Sequence, residues 1–152
     1  MPAVTEVKFY HNAPDRLAAA CSIAAKAVRQ GHRVIVHAPD AALAQRFDVM
    51  LWSAQPLSFV PHVAADSPLA ARTPIIIAAG LDNLPDDETM NDVLMNLGDG
   101  VNNALPQGYT RFRMLVEIVS THEADRQQAR QRWQAFKEQG LPITAYDLAK
   151  TA

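Results

Sequence analysis

The 152-residue chain predicts a single α/β domain, residues 1–152, built on a mostly parallel sheet with helices on both faces. Three observations lead there. Strand-like and helix-like segments alternate in β-α-β-α order. The clearest strand, Pro74-Ile75-Ile76-Ile77-Ala78-Ala79, has no polar alternation, as expected of a strand covered on both sides. A composition of 49% apolar and 20% charged residues is that of an ordinary globular domain with one core.

Taken in order, Val7-Lys8-Phe9-Tyr10 reads as the first strand. His11-Asn12-Ala13-Pro14 then offers a cap and a first-turn proline for a helix to about Gln30, with Leu17, Cys21, Ala24 and Val28 as its buried stripe and Gly31 as its stop. Arg33-Val34-Ile35-Val36-His37 is a second strand. Pro39-Asp40 opens a second helix whose inner face is Leu43, Phe47 and Met50 or Leu51. The Ile75 run follows and Gly80 closes it. Asp92-Val93-Leu94-Met95-Asn96-Leu97 favours a strand over a short helix, and Gly98-Asp99-Gly100 stops it. Arg113 to Val119 is a strand, and Glu123 to Gln139 is a helix ending at Gly140.

The N-terminus lacks the basic flank and apolar run of an export signal, and no segment reaches eighteen uninterrupted apolar residues, so a cytoplasmic protein without a membrane span is expected. The single cysteine, Cys21, sits among alanines and reads as a small core residue, leaving no cysteine-based metal site. Net charge is −2, which argues against general nucleic-acid binding. The charge is unevenly spread. Leu81 to Thr110 holds six acids and no Lys or Arg, whereas Arg111 to Lys137 holds six bases and three acids. Such asymmetry suits a charged partner, and equally a pair of solvated faces.

A parallel sheet invites a nucleotide, yet His11-Asn12-Ala13-Pro14-Asp15 offers no glycine for a pyrophosphate, and G-x-x-x-x-G-K-[ST] is absent, so no cofactor is expected. Polar residues do gather at strand ends: His11, His37 with Asp40, Asp82, and Ser120-Thr121-His122. A small α/β hydrolase or nucleotide-binding enzyme using His11, His37 and His122 is therefore the alternative reading. Against it, no G-x-S-x-G elbow is present, and Ser120 reads more simply as the cap of the last helix. No histidine pair has H-E-x-x-H spacing, no metal site is expected, and His62, after Pro61, reads as a loop residue.

Two stretches look made for docking. In Leu51-Trp52 and Ser58-Phe59-Val60-Pro61-His62, aromatics stand beside prolines where the helix should have stopped, in a short extended segment. They serve either a partner surface or the bottom of the core. In the last helix, Arg126, Arg130, Trp133 and Lys137 stand at i, i+4, i+7 and i+11, so three cations and an indole share one face. Arginine forks grip carboxylates and the indole offers an apolar wall, a combination suited to an acidic peptide ending in a hydrophobic residue. A solvated face with Trp133 turned to the sheet is the competing reading.

Phe9-Tyr10, Arg33-Val34-Ile35-Val36, Ala44-Gln45-Arg46-Phe47-Asp48 leading into Leu51-Trp52, Ser58-Phe59-Val60-Pro61-His62, and Arg132-Trp133-Gln134-Ala135-Phe136-Lys137-Glu138-Gln139-Gly140 together resemble the chi subunits of bacterial DNA polymerase III. The resemblance spans nearly the whole chain except Leu81 to Glu88. It implies a fold like that of mononucleotide-binding proteins without their phosphate loop. It also implies an accessory subunit of the DNA polymerase holoenzyme with no catalysis of its own, a replisome adaptor that touches DNA only indirectly and needs no cofactor. Two partners are implied: the psi subunit, which ties the chain to the clamp loader, at Trp52, Phe59 and Pro61, and the acidic, phenylalanine-ending C-terminal tail of single-stranded DNA-binding protein, at Val119, Arg126, Arg130 and Trp133; Lys137, on the same helix face, would help steer the tail's aspartates. A repair helicase is an alternative client for the Trp52/Phe59 face. Trp133 stands where the family often has Tyr and Arg126 where it has Lys, which keeps charge and apolar wall while changing shape.

Overall fold

The computed structural model describes residues 5–53, 62–64, 74–78, 91–98 and 109–150. Its elements are β1 (Glu6–Ala13), α1 (Arg16–Arg29), β2 (Val34–His37), α2 (Ala41–Ser53), β3 (His62–Ala64), β4 (Ile75–Ala78), β5 (Val93–Asn96), β6 (Met114–Ser120), α3 (Glu123–Glu138) and β7 (Ile143–Asp147). Single 3-10 turns occur at Tyr109–Arg111 and Leu148–Lys150. The strands form one seven-stranded sheet in the order β3-β4-β2-β5-β6-β1-β7, and every described pairing is parallel.

Side chains of successive strand residues point to opposite faces, so each strand feeds two cores. On one face Val34, Val36, Ile75, Ile77, Val93 and Met95 pack against Leu17, Ala20, Cys21 and Ala24 of α1 and Phe47 and Leu51 of α2. On the other, Ile35, Ile76, Leu94 and Leu115 join Val7 and Phe9 against Ala129 and Phe136 of α3. Helices thus cover both faces, which is why β2, β4 and β5 are buried at every position. The expected strand at Asp92–Leu97 is β5. The expected stripe of α1 is buried at Leu17, Cys21 and Ala24, and Val28 is half-buried at its margin. Cys21 is a core residue whose thiol is pushed up to about 11, by burial first and by the Asp15 charge second. Among the described residues no helix is long and apolar enough to cross a membrane.

Several junctions differ from the sequence expectation. The first strand runs on to Ala13 through an irregularity at Asn12, whose φ is 61°, so α1 begins later and is capped by Asp15, whose carboxylate accepts from the Ala18 N–H at 3.1 Å. Pro14 precedes the cap instead of occupying the first turn. Ser120 belongs to β6 and does not cap α3; His122 holds the cap position without a side-chain bond, and Asp125 reaches back to the Ser120 N–H at 2.8 Å. Trp52 lies within the last turn of α2, because the helix-breaking Pro56 stands three residues beyond its end. His62 opens strand β3, paired with Ile75, and is not a loop residue. Gly31 and Gly140 end α1 and α3 as expected, with φ of 88° and 74° that only glycine adopts without strain.

β7 escapes the sequence pattern altogether. It is an edge strand with Thr144, Ala145 and Tyr146 exposed, so it carries neither an apolar run nor a clean alternation. It places Tyr146 against Tyr10, stacked at 4.8 Å, and the Tyr10 hydroxyl is shifted up by burial and by Tyr146.

Candidate functional site

The turn from β6 into α3 and back to β7 carries α3 across the sheet face formed by β6, β1 and β7. Between helix and sheet lies an open cavity of about 390 Å³. Its apolar lining is Phe9 of β1, Val119 of β6, Ala129 and Trp133 of α3, and Ala145 of β7. Its polar lining is His11 and Asn12 from the end of β1 and Arg126 and Arg130 from α3. Arg126, Ala129, Arg130 and Trp133 fall at i, i+3, i+4 and i+7, one stripe of the helix, with alanine leaving the room that forms the hollow. Trp133 is half-buried and sets its ring edge-on to Phe9 at 5.0 Å and 72°. Phe9 in turn meets Phe136 at 6.1 Å, so the indole is braced by the core beneath it while part of it remains at the cavity wall.

Among the described residues no carboxylate lines the cavity. The two arginines are exposed and lean on Glu123, Arg126 at 3.9 Å and Arg130 at 3.7 Å, distances longer than a charge-assisted hydrogen bond. Solvated contacts of this kind stabilise by about 1 kcal/mol at most. Both guanidinium forks are therefore held near the opening by a weak partner that a better-placed carboxylate can replace. An apolar hollow with two such cations at its edge can seat a hydrophobic side chain and pair with the anion attached to it.

The structure brings Val119, Arg126, Arg130 and Trp133 together around this one cavity. Lys137 is exposed one turn further along α3 and does not line it. The side chain of Trp52, and Phe59 and Pro61 entirely, lie outside the described residues, as do Asp82 and the stretch Leu81 to Glu88. α2, which carries the Trp52 backbone, packs on the sheet face opposite to α3. The three strand-end histidines are not assembled: His11 is at the cavity, His37 is buried with its Nδ1 3.1 Å from Asn96 Oδ1, and His122 is at the start of α3. His11 and Asn12 are cavity residues that the sequence did not assign to tail binding; His11 enters there only in the alternative enzyme reading. Their signal was the pair itself, a polar stop to an apolar strand with an asparagine able to take a left-handed backbone.

A buried polar row crosses the same sheet face beside the cavity. In register, His37, Asn96 and Glu117 are neighbours on β2, β5 and β6. Asn96 donates its amide to Glu117 Oε1 at 3.1 Å, and Arg132 of α3 donates Nε–H to Oε2 at 2.7 Å. Burial pushes the Glu117 carboxyl up, while Arg132, Arg16 and the Asn96 bond pull it down. Nη1 and Nη2 of Arg132 have no hydrogen-bond partner among the described residues. The row pins α3 to the sheet, and with it the stripe that roofs the cavity.

The family model described as DNA polymerase III chi subunit, HolC, matches residues 4–144. The DNA polymerase III subunit chi of Pseudomonas aeruginosa is 33% identical over 151 residues, covering 97% of this chain and 99% of that one. Its counterpart in Haemophilus influenzae is 31% identical over 126 residues, 82% of each chain, and that of Escherichia coli 30% over 123 residues, 81% of this chain and 79% of the other. With a match across nearly its full length, this chain belongs to the family of DNA polymerase III chi subunits, accessory proteins of DNA replication.

Proposed function

We propose that the chain is a non-catalytic, cytoplasmic adaptor of the replisome, whose α3 cavity holds the acidic, phenylalanine-ending C-terminal tail of single-stranded DNA-binding protein and whose Trp52, Phe59 and Pro61 segment holds the psi subunit of the clamp loader. The observation that carries the tail reading is the pairing of an apolar hollow with two guanidinium groups and, among the described residues, no carboxylate. The terminal phenylalanine would insert against Trp133 and Val119, Arg130 would take its α-carboxylate through parallel hydrogen bonds, and Arg126 and Lys137 would steer the upstream aspartates. A single aromatic anchor with a few edge charges supports affinity of about micromolar or weaker, suited to a contact remade as the polymerase advances.

The test is fluorescence anisotropy of a labelled tail peptide titrated with the wild-type chain and Arg130→Ala at low and moderate salt. Binding that weakens with salt and falls about tenfold or more in the variant supports the reading, since one charge-assisted contact is worth about that much. No binding by the wild-type chain overturns it.

A further inference from the structure

We infer that His11 is a third polar contact to the anionic ligand of this cavity, one that couples binding to proton uptake; the inference rests on the tail-binding reading above.

The placement of His11 comes from an irregularity in β1. Its register with β6 is regular from Glu6 opposite Met114 to Tyr10 opposite Ile118, then jumps to Ala13 opposite Ser120, so that three steps on β1 answer two on β6. An extra residue in one strand is a bulge, a device that re-aims side chains beside sites. Here it lets Ala13 turn into the α1/α2 core while Phe9 and His11 stay on the cavity face. Asn12 takes the left-handed backbone this requires, at φ 61°, and is fixed by donating Nδ2–H to Asp147 Oδ1 at 2.9 Å. The bulge is thus tied to β7, and it sets His11 and Asn12 as the last β1 residues to line the cavity.

The imidazole is half-buried at the cavity wall, and no hydrogen bond or ion pair engages it among the described residues. The charged groups around it are Arg126 and Arg130 of α3 and its register partner Asp147 of β7, whose Oδ1 already accepts from Asn12 and from the Ala149 N–H. Glu123 stands behind the two arginines and not in the lining. A neutral imidazole offers one N–H, a protonated one offers two, and histidine is the side chain that changes charge between about pH 5 and 8. A ligand carboxylate beside the ring favours the protonated form, so binding draws in a proton and affinity rises on acidification. Unlike the arginines, whose long side chains must be ordered, the ring sits on a short stem from a strand and costs little to hold in place.

The experiment is the tail-peptide titration at about pH 8 and about pH 6 for the wild-type chain, His11→Gln and Arg130→Ala. The wild type should bind about fivefold tighter at the lower pH, and His11→Gln should lose that dependence. A His11→Gln chain that keeps the wild-type pH profile, while Arg130→Ala still weakens binding, overturns the His11 inference and leaves the tail reading standing. Failure of the wild type to bind at either pH overturns both. Proton NMR of the His11 ring in the unmutated chain gives an independent reading. Saturating peptide should move its titration midpoint upward, and an unmoved midpoint with peptide bound overturns the inference.

Discussion

At the scale of single residues, the Glu117–Arg132 pair decides how firmly α3 is held. Both side chains are almost fully buried, at 0% and 2% exposed, so each charge depends on the other. Removing one partner of such a pair costs about 3–5 kcal/mol, whereas replacing both by apolar groups of similar size is often neutral. Arg132→Leu should therefore lose about that much stability near pH 8, and Glu117→Met combined with Arg132→Leu should recover most of it. The sign with pH follows from the carboxyl, which burial already pushes up and which loses its main counterweight in Arg132→Leu. A raised folded-state carboxyl contributes fully at low pH and loses its contribution as pH climbs through the raised value. The single variant should thus regain stability on acidification towards pH ~5, where the unfolded carboxyl still ionises, and urea denaturation at the two pH values reads it directly. None of this row was legible in the sequence. His37, Asn96, Glu117 and Arg132 are spread over four elements and become neighbours only through register.

At the scale of elements, α3 was the most legible part of the chain, because a solvent-facing helix writes its face at i, i+4 and i+7 and the cavity inherits that spacing. What the stripe could not show is that Lys137 falls beyond the hollow, since the depth of the cavity is set by Ala129 and by the end of β6. β7 and the bulge of β1 were hidden for a related reason: an exposed edge strand needs no apolar run, and a one-residue register jump changes no composition. The α3 cavity also carries its own competitor for a ligand carboxylate. Glu123 lies within 4 Å of both Arg126 and Arg130, near the start of the helix. A bound carboxylate must displace it, so Glu123→Gln should tighten peptide binding by about two- to fivefold, corresponding to a solvated contact of about 0.5–1 kcal/mol. Salt should shrink the gain, because both the native contact and the incoming one are screened. Anisotropy titrations of the variant at two ionic strengths check this, and unchanged affinity would mean that the arginines are already available.

At the scale of the whole molecule, the parallel architecture was readable from the apolar strands and the alternation of elements, while the strand order had to come from the structure. That order has a functional consequence. α2 and the α3 cavity stand on opposite faces of a sheet whose inner strands are buried on both sides and closely packed, and packed cores deform little between discrete arrangements. A ligand alters affinity at a second site only if it distinguishes two states of the protein. Among the described residues, no side chain that lines the cavity belongs to the core cluster packed on α2. On the proposed seating of psi at the Trp52 side, tail-peptide affinity should therefore stay within about twofold of its value for the free chain, a coupling under about 0.5 kcal/mol. Titrating labelled peptide into the chain alone and into its complex with psi measures this. Equal affinities fit an adaptor that keeps one hand on the clamp loader while the other opens and closes, and a change of tenfold or more would require a second packing of the sheet that responds to psi.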